Sequence, residues 1–170
     1  MQIIPAPNFF QILPYKHLLL DTSVLIDTSL HPAAWTPFLA RCKEQRITLV
    51  TIRPVEVEFC NGAESSEKLN TKRELVKNIV DDFILPINSC IFEKYLPSLV
   101  AKYGQYGRGI SLTDYILAGC LMQHARDMLL LTKNPSDFPS ACFQLESHIL
   151  LSQFRTLQCY GIYAYVEKPN

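Results

Sequence analysis

Three consecutive leucines that end in an aspartate, His17-Leu18-Leu19-Leu20-Asp21, constrain this chain more than any other stretch. Alternate residues of a strand point to opposite faces of a sheet, so an unbroken apolar run needs cover on both. The run reads as a buried strand of a parallel sheet. Asp21 then sits at its carboxyl end, and Thr22 and Ser23 supply hydroxyls in the following turn. Ligands of open α/β sheets gather at that end of the strands. Two further runs repeat the pattern: Ile47-Thr48-Leu49-Val50-Thr51, rich in branched residues, and Met128-Leu129-Leu130-Leu131-Thr132.

Helices separate these strands. Pro32 suits the first turn of a helix that runs to about Gln45. Pro54 opens a second, carrying Glu56 and Glu58 and interrupted near Asn61-Gly62. A long polar helix starts at Ser65 or Ser66 and reaches about Phe83. Its outer side holds Lys68, Lys72, Arg73 and Lys77, interleaved with Glu67 and Glu74 as on a solvated face. Residues 89–103 read as helix broken at Pro97, Gly104, Gly107 and Gly109 as a loop, and 111–124 as helix. Phe143–Leu151 and Cys159–Val166 alternate as strands do. Residues 1–16, punctuated by proline and anchored by Phe9, Phe10, Ile12 and Leu13, read as an arm laid on a single domain over 17–170. The expected architecture is α/β. A central, mostly parallel sheet of four or five strands carries helices on both faces, joined by right-handed crossovers.

At 170 residues, with 48% hydrophobic and 19% charged residues, the chain is that of one globular domain rather than a disordered one. No run approaches the roughly 18–20 apolar residues of a membrane span. The first residues lack the basic start of a secretory leader. The six cysteines are scattered without metal-binding spacing and read as reduced thiols of a cytoplasmic protein. Net charge is +0, so any nucleic-acid surface has to be local.

Polar groups follow each buried strand: Asp21 the first, Glu56 and Glu58 the second, Thr132, Asn134 and Asp137 the third. Asp114 heads the helix before the third strand. If the strands are parallel, these groups meet at one edge of the sheet. Carboxylates at close quarters repel one another and raise one another's pKa. A hard divalent cation relieves this. Mg2+ or Mn2+ takes oxygen ligands and keeps waters, leaving room for phosphate oxygens, which is the chemistry of metal-assisted phosphodiester hydrolysis. Each residue also has a plainer use. Asp21 suits a helix N-cap. Asp114 lies three residues after Ser111, the spacing of a capping box. Asn134 and Asp137 suit an Asx-turn.

Residues 18–27 resemble the opening of a PIN domain, the fold of VapC-type toxin ribonucleases. Glu58-Phe59-Cys60-Asn61-Gly62 resembles that family's Glu-Leu-x-x-Gly segment, which selects Glu58 over Glu56. Residues 110–119 resemble its apolar-small helix headed by an acid, here Asp114. Residues 129–138 resemble its Leu-Val-Thr-x-Asn-x-x-Asp-Phe segment. All four occur in the family's order. The resemblance implies a PIN-like three-layer sandwich and a metal-dependent endoribonuclease, the toxin of a toxin–antitoxin pair. Asp21, Glu58 and Asp114 would hold Mg2+ or Mn2+, Asp137 would assist, and Thr22, Ser23, Thr132 and Asn134 would orient ligands or the scissile phosphate. It further implies an RNA substrate, an antitoxin occupying the acidic cleft, and a homodimer. Tyr160, Tyr163 and Tyr165 of the extended C-terminal tail are the aromatics expected at that dimer's interface. Two rivals stand beside this reading. A haloacid-dehalogenase-type phosphatase also starts with a strand-end aspartate, but wants a second two residues on, where this chain has Ser23. The other is a non-catalytic PIN-like module that binds RNA or protein.

Overall fold

The computed structural model describes residues 1–13, 16–80, 84–104, 109–153 and 156–166. The chain begins with β1 (Gln2–Pro5), α1 (Phe9–Ile12), β2 (His17–Leu20), α2 (Thr22–Leu30) and α3 (Pro32–Glu44). There follow β3 (Thr48–Ile52), α4 (Arg53–Cys60), α5 (Ser66–Val80) and β4 (Ile84–Leu85). A π-helical turn (Ile91–Tyr95) leads into α6 (Leu96–Tyr103), then α7 (Leu112–Gln123) and β5 (Met128–Thr132). A 3-10 turn (Pro135–Asp137) precedes the hairpin of β6 (Phe143–Gln153) and β7 (Thr156–Tyr165).

The described strands form one seven-stranded sheet in the order β1-β6-β7-β5-β2-β3-β4. Its inner part is parallel: β2 pairs with β5 and β3, and β3 with β4. Leu18, Leu19 and Leu20 are all fully buried, as are Leu130 and Leu131, so both faces of these strands are covered. The α/β expectation holds, with a larger and more mixed sheet than four or five mostly parallel strands. The added half is antiparallel: β7 on β5, β6 on β7 and β1 on β6. Two residues separate β6 from β7, far too few for the crossover that parallel strands need.

The first residues do more than lie on the surface, because β1 is the edge strand of the sheet. Phe9 and Leu13 anchor the segment with no exposure. Asn8 ties it to β6, its amide donating to the Glu146 carbonyl (3.0 Å) while Ser147 donates to its Oδ1 (2.8 Å). These bonds sit where the β6–β7 register slips between Leu145 and Ser147, a bulge that leaves backbone groups for other partners.

The break expected at Pro97 is present. A proline has no N–H to donate and crowds the carbonyl four residues back; the helix widens over Ile91–Tyr95 and resumes with Pro97 in its first turn. The polar helix ends at Val80 among the described residues; Phe83 and Gly107 lie outside them. No helix among the described residues is long and apolar enough to cross a membrane. All six cysteines are free, and Cys42, Cys120 and Cys142 are buried while Cys159 is exposed. Burial pushes the Cys42 and Cys120 thiols up to about 12, which keeps them protonated and unreactive at neutral pH.

Candidate active site

The order of the parallel strands places a crevice before any side chain is considered. From β2 the chain moves to β3 and β4, then returns to the other side of β2 to make β5. Ligand crevices open at the carboxyl ends of the two strands that flank such a reversal. Here those ends carry Asp21 and Thr132.

Asp21 continues the pairing of β2, its amide donating to the Leu131 carbonyl (3.2 Å). Its extended backbone starts α2 as N-cap, with Oδ1 accepting from the Thr22 amide at 2.6 Å. The capping reading is therefore correct, but it uses one oxygen. The other, Oδ2, accepts from the Ser23 hydroxyl (2.7 Å) and the Thr132 hydroxyl (2.7 Å). Asp21 is 4% exposed. A buried carboxylate with this many donors has its orientation fixed. The support extends outward, as the Asn134 amide donates to Thr132 Oγ1 (3.0 Å) and the Lys133 amide to Ser23 Oγ (3.2 Å). Thr132, Asn134 and Ser23 thus act on Asp21, Asn134 through its backbone.

Glu56 and Glu58 differ in their partners. Glu56 is buried and ion-paired to Arg53 within α4. Glu58 is exposed, and its Oε2 accepts from the Thr22 hydroxyl at 2.8 Å. Thr22 and Ser23, adjacent in sequence, therefore hold two different acids.

Asp114 lies in the first turn of α7, half-buried. Ser111 caps that helix, accepting from the Asp114 amide (3.1 Å) and donating back to Asp114 Oδ2 (2.5 Å). Burial pushes the Asp114 carboxyl from 3.8 up to about 6. The Ser111 bond opposes this, and the charges of Asp137, Asp21 and Glu58 add to it. The charges of the other three sequence-selected acids thus reach Asp114. Asp137 sits in the 3-10 turn, held by Tyr103 donating to its carbonyl (2.9 Å) and by Phe138, buried against Phe143 and Tyr163.

The donor set is all oxygen, which suits a hard divalent cation. Among the described residues, however, no three His, Cys, Asp or Glu side chains are arranged to hold a metal ion between them. The bonds from Ser23, Thr132, Thr22 and Ser111 leave further lone pairs on each carboxylate.

Two residues in this region, Asp27 and Lys133, carry no role in the sequence reading. Asp27, 4% exposed, accepts from Lys133 Nζ (2.6 Å) and from the Tyr160 hydroxyl (2.7 Å). Tyr160 packs edge-on against Trp35. This corrects the interface expected in the tail: Tyr160 and Tyr163 are 0% and 9% exposed and belong to the core. Inward-facing positions of a strand take aromatics as readily as an interface does, and only the position of β7 inside the sheet distinguishes the two.

Among solved structures, the fold is similar to a chain of DNA-bound VapBC from Salmonella typhimurium, with a TM-score of 0.53 and 20% identity. The match covers 72% of this chain and 90% of that one. At that identity the likeness is one of fold. TrmN from Thermus thermophilus aligns with a TM-score of 0.36 and 11% identity over 94% of this chain and 46% of its own, a score too low to bear on the fold. No family model and no curated protein matches the sequence.

Proposed function

We propose that this chain is a PIN-like endoribonuclease that uses Mg2+ or Mn2+ to hydrolyse RNA phosphodiester bonds. One observation carries the reading: adjacent hydroxyls after β2 hold acids from two separate parts of the chain, Ser23 on Asp21 (2.7 Å) and Thr22 on Glu58 (2.8 Å). With Asp114 and Asp137, which act on the same charge balance, these acids would form a cluster that a divalent cation would neutralise. Asp21, Glu58 and Asp114 are the residues that would hold it, in part through the waters such ions retain. When bound, the metal acidifies a water and offsets charge on the phosphate. The chain's own part is orientation. Ser23 and Thr132 fix Asp21, Thr22 fixes Glu58, and Ser111 fixes Asp114. Asp137 borders the same acids and assists, and the exposed Asn134 side chain is available to the phosphate.

The VapBC-like fold supports a further element, an antitoxin-type protein that covers the acidic cleft. The test is turnover of a generic single-stranded RNA with Mn2+. The expected result is cleavage that chelator abolishes and that Asp21→Asn removes without unfolding the protein. RNA that is bound but left intact in Mn2+ would select the non-catalytic module instead.

A further inference from the structure

We infer that the cavity beside the acid cluster, between α4, α5 and the start of α7, is a subsite for one nucleotide of the RNA strand next to the cleaved bond. This rests on the nuclease reading above. The cavity measures about 660 Å³, within the range of about 300–1,000 Å³ typical of small-ligand sites. Glu58 lines it, and so does Thr113, the neighbour of Asp114. A strand lying across the acids therefore enters it directly.

The lining has the chemistry of a nucleotide site. Phosphates are repelled by four acids, so affinity has to come from cations that flank them. Most cations here are engaged. Lys68 pairs with Glu64, Lys77 with Glu74, and Arg53 with Glu56. Lys72 donates to the Phe59 carbonyl (2.7 Å) and lies over the Phe59 ring. Arg73 is exposed and lines the cavity, and no acid among the described residues pairs with it. A guanidinium matches a phosphate with two parallel bonds and also stacks on bases. Part of the wall is apolar: Val57, 61% exposed, and Pro54 on α4, with the half-buried Leu69 one turn before Arg73 on α5, a surface for the flat face of a base or ribose. On the basic side of α5, Lys68 and Lys77 are thus solvated, Lys72 is tied to α4, and Arg73 alone faces the cavity without an acid partner among the described residues.

Binding of a fluorescein-labelled single-stranded oligouridylate, followed by anisotropy in Ca2+ across a salt series, tests this. Arg73→Ala is expected to weaken binding at least fivefold near 50 mM salt. It should also flatten the slope of log K against log salt by about 0.7, the value for one phosphate contact on a single strand. Val57→Asp, which puts a negative charge on the wall, should weaken binding as well. Lys77→Ala, on the same helix outside the cavity, should bind as wild type. The gain in melting temperature on adding Mn2+ should stay unchanged in Arg73→Ala, because the acids are intact. Wild-type binding and slope in Arg73→Ala, or an equal loss in Lys77→Ala, would overturn the subsite, as would a wild-type protein that does not bind the RNA. If wild type binds but never cleaves, the nuclease reading fails separately, and the Arg73→Ala comparison still decides the subsite.

Discussion

Asp114→Asn separates a capping role from membership of the acid cluster, and its effect can be worked from the structure. The Asp114 carboxyl is raised from 3.8 to about 6, first by burial and then, against the Ser111 bond, by Asp137, Asp21 and Glu58. That rise corresponds to about 3 kcal/mol against the charged form. The side chain is half-buried, so solvent screening reduces this to roughly 1–2 kcal/mol. A carboxyl raised on folding makes the native state bind more protons than the unfolded chain between about pH 4 and pH 6. Stability therefore falls as pH rises through that window. The penalty is fully present above about pH 6 and absent below about pH 4. Asparagine removes the charge and keeps an oxygen to accept from Ser111. In chelator at pH 7 the variant should be more stable by roughly 1–2 kcal/mol, raising the melting temperature by roughly 2–8 °C for a chain of this size. At pH 4 the difference should close. On adding Mn2+ the wild type should gain in melting temperature and the variant should gain less, because stabilisation follows affinity for the folded state. RNA cleavage should fall at least about tenfold, a loss of 1.4 kcal/mol or more in transition-state stabilisation. The assay is a set of paired thermal melts at the two pH values, with and without Mn2+, beside cleavage rates. A variant destabilised equally at both pH values, with cleavage and the Mn2+ gain intact, would leave Asp114 a cap and nothing more.

Thr132→Val keeps the shape of a fully buried side chain but removes its bonds to Asp21 and to the Asn134 amide. It should cost about 1–3 kcal/mol in chemical denaturation and lower the cleavage rate; full activity would show that the orientation of Asp21 does not matter. Glu58→Gln should lose cleavage while Glu56→Gln should retain it, since Glu56 is committed to Arg53; the reverse result in a rate assay would reassign the second acid. Asp27→Asn leaves Lys133 without its charged partner. The Lys133 side chain is 35% exposed, so the cost in urea unfolding should be about 1 kcal/mol rather than the 3–5 kcal/mol of a fully buried pair.

The parts of the fold that were legible are those in which burial leaves a periodic mark. Leu18-Leu19-Leu20 and Leu129-Leu130-Leu131 could be strands buried on both faces and little else, and β2 and β5 are those strands. That the charges of Asp21, Glu58 and Asp137 reach Asp114 accords with parallel order, which puts the carboxyl ends of β2, β3 and β5 on one edge. Long-range antiparallel pairing leaves no comparable mark. Gln2–Pro5 is a four-residue edge strand whose partner lies at the far end of the chain, so the prolines around it read as an arm. Tyr160 and Tyr163 read as surface because aromatic residues suit both an interface and a core. Asp27 stood in the same stretch as Asp21 without a role, since its partners Lys133 and Tyr160 are more than a hundred residues away and the β2–β5 and β5–β7 pairings together bring them to it.

The central claim is that Asp21, Glu58 and Asp114 share one divalent-cation site. Anomalous scattering from a crystal of the protein grown with Mn2+ tests it most directly. The account predicts Mn2+ in the crevice at the ends of β2 and β5, with oxygens of Asp21 and Asp114 as ligands at about 2 Å or one water removed, and Glu58 facing the same ion. Mn2+ bound only elsewhere on the surface, with these carboxylates unchanged at saturating metal, would contradict it.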